Sequence, residues 1–210
     1  MTESDARERE RERVEIRHGI PQGAEDRIAE LYWEAFGRKL GAALGPEEQG
    51  RAFLAAHLDP GRTLVALAAG RVVGVAGLKT GTRGMSRAGA GDVLRAYGWL
   101  GGLPRLAALA LLEQAAAPGE LVLECLAVDA RLRGLGTGGA LLRACCAYAA
   151  EAGCTRVGLQ VVDDNPRARA LYEREGFRAV GTRRTPFLRE LMGFSAVTTM
   201  HRPITPGAAP

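Results

Sequence analysis

The sequence predicts an α/β (α+β) domain in which helices flank a sheet, and three observations carry this. Leu121–Val128 (LVLECLAV) is an apolar run apart from Glu124 and suits a buried strand; it passes through a glycine-rich loop into an Ala- and Leu-rich helical run. Thr155–Val162 (TRVGLQVV) repeats the pattern, with Asn165 as N-cap and Pro166 in the first turn of the next helix. Thr63–Ala68 and Arg71–Leu78 flank Ala69-Gly70 and read as a hairpin. A chain of 210 residues suits one domain with a sizeable core.

The other elements follow in order. Residues 1–13 alternate acid and base with no apolar face and form a solvated, disordered tail. The domain spans 14–202, beginning with a short strand at Val14–Arg17. Ala24–Leu44 has helical periodicity through Ile28, Leu31, Tyr32, Ala35, Phe36 and Leu40, with Gly37 and Gly41 as points of breakage. Its aromatic stripe of Tyr32, Trp33 and Phe36 reads first as core. Pro46–Leu58 is a second helix, with Glu47 and Glu48 at its positive end.

An insertion occupies about 79–119. Lys79–Gly91 is a glycine-rich loop, Asp92 an N-cap for DVLRAYGWL, and Pro104 the start of PRLAALALLEQAA. The second of these helices is apolar on most of its surface and needs cover. Packing on the sheet, a homodimer interface and a lid over a binding site all supply it, and the sequence leaves the three open. Arg178–Arg184 and Phe194–His201 are the last strands, joined by Pro186–Gly193, and residues 203–210 form a loose tail.

Chemistry concentrates after the Leu121–Val128 strand. Arg131 and Arg133 precede four glycines within six residues: Gly134, Gly136, Gly138 and Gly139. Glycines let backbone N–H groups approach an anion, and the following helix starts with unpaired N–H groups and partial positive charge. Strand, basic loop, glycines and helix together make a phosphate-binding arrangement. A GxxxxGK[ST] loop fails, because Ala140 stands where its Lys belongs. A G-x-G-x-x-G fingerprint matches at Gly134, Gly136 and Gly139, with Asp163 and Asp164 downstream. Five residues, Asp129–Arg133, intervene after the strand, and no second mononucleotide-binding half follows.

The run Val128–Gly138 instead resembles the acyl-coenzyme A motif of the GNAT N-acetyltransferase superfamily, [QR]-x-x-G-x-[GA], through Arg133, Gly136 and Gly138. Asn165, Ala168, Tyr172, Gly176 and Phe177 resemble a second element of that family, N-x-x-A-x-x-x-Y-x-x-x-G-F. The resemblance is specific over 121–177. It implies a mixed, mostly antiparallel twisted sheet and acetyl transfer from acetyl-coenzyme A to a primary amine of a small molecule or peptide. It also implies that Arg133, Gly134, Leu135, Gly136, Thr137, Gly138 and Gly139 hold the pyrophosphate. The Leu126, Ala127 and Val128 backbone would extend along pantetheine, with Asn165 and Tyr172 on the same ligand. Arg131 reaches a phosphate or solvent equally well. Asn165 and Tyr172 are two helical turns apart, roughly 10 Å along one face.

Two residues are candidates for catalysis. Tyr172 is the acid for the departing thiolate or a hydroxyl that orients the sulfur. Glu124 is a carboxylate within an apolar strand; partial burial would raise its pKa toward that of a base working near neutral pH. It could equally bind an Arg or a cationic substrate. Cys125 points to the opposite face of a regular strand, and no His–Cys pairing supports a covalent acyl-cysteine route.

Composition narrows the partners. Net charge is +4, arginines are dispersed and aromatics are 5%, which argues against nucleic acid. The four cysteines lack C-x-x-C spacing, and with three histidines no metal site is expected. The charged N-terminus lacks an apolar core, and no run of about 18 apolar residues occurs. A cytoplasmic protein with free thiols and no membrane contact is expected. The alternatives to an acetyltransferase are an acyl-coenzyme A-binding regulatory protein with little turnover and, more distantly, a dinucleotide-dependent oxidoreductase.

Overall fold

The computed structural model describes residues 14–112, 115–184 and 193–207. Segment 1–13, most of the connection expected at 186–193, and residues 208–210 lie outside the described residues. Seven strands form one sheet: β1 (Glu15–His18), β2 (Thr63–Ala68), β3 (Arg71–Thr80), β4 (Glu120–Val128), β5 (Arg156–Val162), β6 (Arg178–Arg184) and β7 (Ala196–Pro203). Their order is β1-β2-β3-β4-β5-β7-β6. Every neighbouring pair is antiparallel except β4 and β5, which run parallel. The sheet is therefore mixed and mostly antiparallel. The hairpin turns through Ala69 (φ 48°) and Gly70 (φ 73°), the positive-φ pair that a two-residue connection requires.

Alternation along the strands feeds two apolar layers. Leu64 and Ala66 of β2 face one cluster with Leu141, Leu142, Cys145, Tyr172 and Phe177. Val65 and Leu67 face the other, with Ile28 and Leu31. Helices α4 (Thr137–Glu151) and α5 (Pro166–Arg174) therefore cover one face, and α1 (Glu25–Leu44) covers the other. The edge strand β6 is exposed along its whole length, and its arginines discourage pairing with another chain. The C-terminal tail is fastened at its start: Ile204 N–H donates to the Thr155 carbonyl at 2.9 Å and its side chain packs on the core.

Helix α1 is continuous through Gly37 and Gly41. Gly37 makes room for the Trp33 indole, whose Nε1 stands 3.1 Å from where a Cβ would lie. Helix α2 (Glu47–His57) packs beside it. The insertion contributes two helical runs, labelled together α3 (Ala90–Leu112) and broken at Gly98, where φ is 69° and ψ 171°; the break falls earlier than the start expected at Pro104. Asp92 does not cap this helix from outside. It sits in the first turn and accepts the Gly89 N–H at 2.9 Å, the reach-back half of a capping box.

The cover that α3 needs comes from α1 and α2. Tyr97 donates its hydroxyl to the Leu44 carbonyl at 2.6 Å, and Arg105 donates to the Gly45 carbonyl at 2.6 Å. Gln49 donates to the Ala96 carbonyl at 2.9 Å. These bonds fix α3 as a wall on the α1 side of the molecule. Trp99 and Leu100 at the kink stay exposed.

Candidate active site

The sheet opens where the parallel pair, β4 and β5, ends. β4 pairs with β5 over Glu120–Leu123 and Arg156–Leu159. β4 continues on β3 to Val128, and β5 continues on β7 to Val162. Beyond Leu123 the two halves of the sheet part. Half of the backbone N–H and C=O groups of Cys125–Val128 are then turned away from β3 toward a gap instead of a strand. One of these carbonyls, that of Val128, accepts Arg133 Nε at 3.0 Å.

The loop beyond this edge is shaped by two kinds of glycine. Gly134 and Gly136 both have φ +87° with open space where a Cβ would be, so their role is conformational. Gly136 is the left-handed N-cap of α4 and offers no side-chain acceptor. The first N–H groups of α4 are consequently uncapped, a ready site for an anion. Gly138 and Gly139 have a steric role. A Cβ at Gly138 would stand 3.0 Å from Leu171, and one at Gly139 would stand 2.6 Å from the Glu175 carboxylate. They let α5 close onto the start of α4. Thr137, at the first position of α4, has a buried hydroxyl without a hydrogen-bond partner.

The loop is tied to the opposite layer. Asp129 accepts the Arg131 N–H at 3.0 Å and pairs with Arg27 of α1 at 2.5 Å. Arg27 also donates to the Val72 carbonyl and to Glu30. The Arg131 N–H holds Asp129 below the usual carboxylate range; partial burial opposes this and Arg27 adds to it. Arg131 and Arg133 are exposed.

Asn165 caps α5 by accepting the Ala168 N–H at 3.1 Å. Tyr172 is 8% exposed and packs against Phe177, with ring centroids 6.1 Å apart. Burial pushes its pKa up to about 12, so the phenol is protonated at neutral pH.

Glu124 sits at the opening itself. Gly77 pairs with Cys125 and Leu78 with Leu123, so Glu124 is the extra residue of a β-bulge. The regular alternation expected of this strand breaks there. Glu124 and Cys125 do not point to opposite sides: both reach Met85 of the insertion. The Met85 N–H donates to Glu124 Oε2 at 2.7 Å, and Cys125 Sγ lies 3.4 Å from Met85 Sδ. Lys79 Nζ stands 3.7 Å from Glu124 Oε1. Gly84 passes so close that a Cβ would collide with the Glu124 carboxylate. Burial pushes the Cys125 thiol far above its ordinary range, which removes it as a nucleophile.

A cavity of about 540 Å³ opens beside Glu124. Tyr32 and Phe36 of α1, Phe53 and Leu54 of α2, Val93, Leu106 and Leu109 of α3, and Phe194 of the last loop line it. Trp33 is turned away into the core between α1, α2 and α3. The aromatic stripe of α1 thus divides into one core residue and two cavity residues.

The Acetyltransferase (GNAT) family model matches residues 25–177. The chain belongs to the GNAT acetyltransferase family. Solved structures agree on the fold. An acetyltransferase crystal structure is 26% identical, covering 90% of this chain and 99% of its own, with a TM-score of 0.59. A GCN5-related N-acetyltransferase from Kribbella flavida is 23% identical, covering 91% and 98%, with a TM-score of 0.57. An N-acetyltransferase from Staphylococcus aureus Mu50 is 17% identical, covering 90% and 100%, with a TM-score of 0.62. Among curated proteins there is no match.

The fold thus packs Leu126, Val128 and Tyr172 into the apolar layer on one face of the sheet and sets Glu124 at the cavity on the other, while Asn165 stands at the start of α5. Sequence reasoning missed Arg27, Lys79, Gly84 and Met85. Arg27 and Asp129 are 102 positions apart, and nothing local in either segment signals the other. Among the described residues, no group of three or more His, Cys, Asp and Glu side chains could hold a metal ion. Nor is any described helix long and apolar enough to cross a membrane.

Proposed function

We propose that this GNAT protein is an acetyl-coenzyme A-dependent N-acetyltransferase that passes the acetyl group directly to a primary amine. The observation that carries the reading is the parting of β4 from β5 at Leu123, with Glu124 bulged toward a cavity beside the gap. A thin ligand laid along Cys125–Val128 would meet the backbone of a strand edge that no neighbouring strand covers. The residues present fit coenzyme A. Gly134 and Gly136 turn the loop, the α4 N-terminus offers uncapped N–H groups, and Thr137 supplies an unsatisfied hydroxyl. Acetyl-coenzyme A would supply an activated thioester.

The protein's own groups would do the rest. Glu124 accepts the proton that the acceptor amine loses as its N–C bond forms and the thioester C–S bond breaks. Met85 N–H and Lys79 hold that carboxylate in place. Tyr172, neutral and buried, gives its proton to the departing sulfur and regains one from solvent. A backbone N–H near Val128 donates to the carbonyl oxygen as charge develops on it.

The test is calorimetric titration with acetyl-coenzyme A, followed by thiol release on an amine panel. Saturable binding with amine-dependent thiol release is expected. Absence of binding at millimolar ligand would sink the reading. Binding with no turnover on any amine would make the protein a coenzyme-responsive regulator instead.

A further inference from the structure

The acceptor cavity narrows the acceptor, granted the acetyltransferase reading above. Its volume, about 540 Å³, lies within the range of small-molecule sites and far exceeds what an ammonium group needs. Among the described lining residues the charged groups are one carboxylate, Glu124, and two cations, Lys79 and Arg183. Glu124 is already engaged by the Met85 N–H and by Lys79. A polyamine or an aminosugar would bring several ammonium groups into a space whose described charges are net positive. Each would lose part of its hydration with no described carboxylate besides Glu124 to replace it. The walls instead reward apolar surface. Val93, Leu106 and Leu109 supply one of them from the insertion helix, which Tyr97 and Arg105 pin to the end of α1.

We propose that the acceptor is a monoamine carrying an apolar body, its nitrogen at Glu124 and its body against the α3 wall. The insertion is then a specificity element: its Val93, Leu106 and Leu109 wall rewards an apolar body over a second ammonium group.

Two measurements on the purified protein test this together. Thiol release from acetyl-coenzyme A is followed with 2-phenylethylamine, 1,4-diaminobutane and spermidine. The same amines are titrated calorimetrically into protein saturated with coenzyme A. The expected result is kcat/KM for 2-phenylethylamine at least about tenfold above either polycation, a difference of about 1.4 kcal/mol. A preference for spermidine or diaminobutane overturns the proposal. If no amine releases thiol, calorimetry separates the two claims. Binding of 2-phenylethylamine but not diaminobutane supports the cavity assignment while the transfer reading fails; no binding of 2-phenylethylamine overturns the assignment as well.

Leu109→Glu and Leu106→Glu are made in parallel, each adding a carboxylate to the wall. In a variant that still binds acetyl-coenzyme A, the preference for 2-phenylethylamine over diaminobutane should fall at least about tenfold. An unchanged preference in such a variant overturns the proposal.

Discussion

The two sides of the opening in the sheet are built in different ways. The side from Val128 to Gly139 is made of backbone: two positive-φ glycines, an uncapped helix start and a strand edge. The cavity side is made of side chains drawn from α1, α2, α3, β4 and the loop before β7. Backbone recognition suits a ligand shared by a whole family, because amides read a pyrophosphate whatever side chains surround them. Side-chain recognition suits a partner that differs from member to member. The coenzyme side should therefore tolerate changes in the insertion, and the cavity side should tolerate changes in the loop.

The sharpest way to break this separation is Glu124→Gln. The amide oxygen can still accept the Met85 N–H, so the bulge persists while the base is lost. A fall in kcat of about 10³ is expected, within the range for a general base, with acetyl-coenzyme A affinity unchanged. A parallel loss of coenzyme affinity would show that the two sides are one site energetically. The converse variant is Gly136→Glu. It forces a side chain into a left-handed conformation, costing about 1–2 kcal/mol, and sets a negative charge where an anion should bind. Acetyl-coenzyme A affinity should fall about 100-fold by calorimetry, with binding of 2-phenylethylamine to the free protein retained.

The same division explains what could be read in the sequence. The loop and α5 motifs each lie within about fifteen residues, and spacing alone aligns them. The central strands followed from apolar runs and the first long helix from periodicity, whereas β1 (EIRH) and β6 (RAVGTRR) carry no apolar run and were expected from the resemblance. The bulge did not: LVLECLAV alternates no differently from a regular strand, and it is the pairing of Gly77 with Cys125 that ejects Glu124. Cysteine and glutamate were accordingly expected on opposite faces and stand together at Met85. The glycines of the loop were grouped as a phosphate cradle, and nothing in their spacing signals that Gly138 and Gly139 also make room for α5. Only a third dimension shows which neighbour a missing Cβ makes room for.

Tyr172 bridges the comparison, since its ring belongs to the coenzyme-side core and its hydroxyl would serve the reaction. Tyr172→Phe keeps the packing against Phe177 and should lower kcat about tenfold while leaving the melting temperature within a few degrees. With the phenol pushed up to about 12, the acid stays protonated throughout the working range. The wild-type rate should rise with pH as the acceptor amine deprotonates, with no descending limb between about pH 8 and 10. A descending limb there, absent from the Phe variant, would mean that a ligand lowers the phenol pKa on binding.

The smallest expected effect probes the Arg27–Asp129 ion pair, which joins the two sides. Helix α1 lines the cavity with Tyr32 and Phe36, and Arg27 near its start grips Asp129 of the coenzyme loop. Both partners are more than two-thirds covered, with side-chain exposures of 28% and 20%, so the pair is worth about 1–2 kcal/mol. Because the folded protein holds Asp129 below the usual carboxylate range, the contribution is fully present above that range. It disappears as pH falls through the lowered value. Asp129→Asn should therefore reduce stability at neutral pH and converge with wild type in acid. At neutral pH it should raise the KM for acetyl-coenzyme A about threefold, because the loop loses its anchor, and leave the KM for the amine nearly unchanged. If the amine KM moves as much, α1 transmits loop position to the cavity, and the two sides cannot be varied independently.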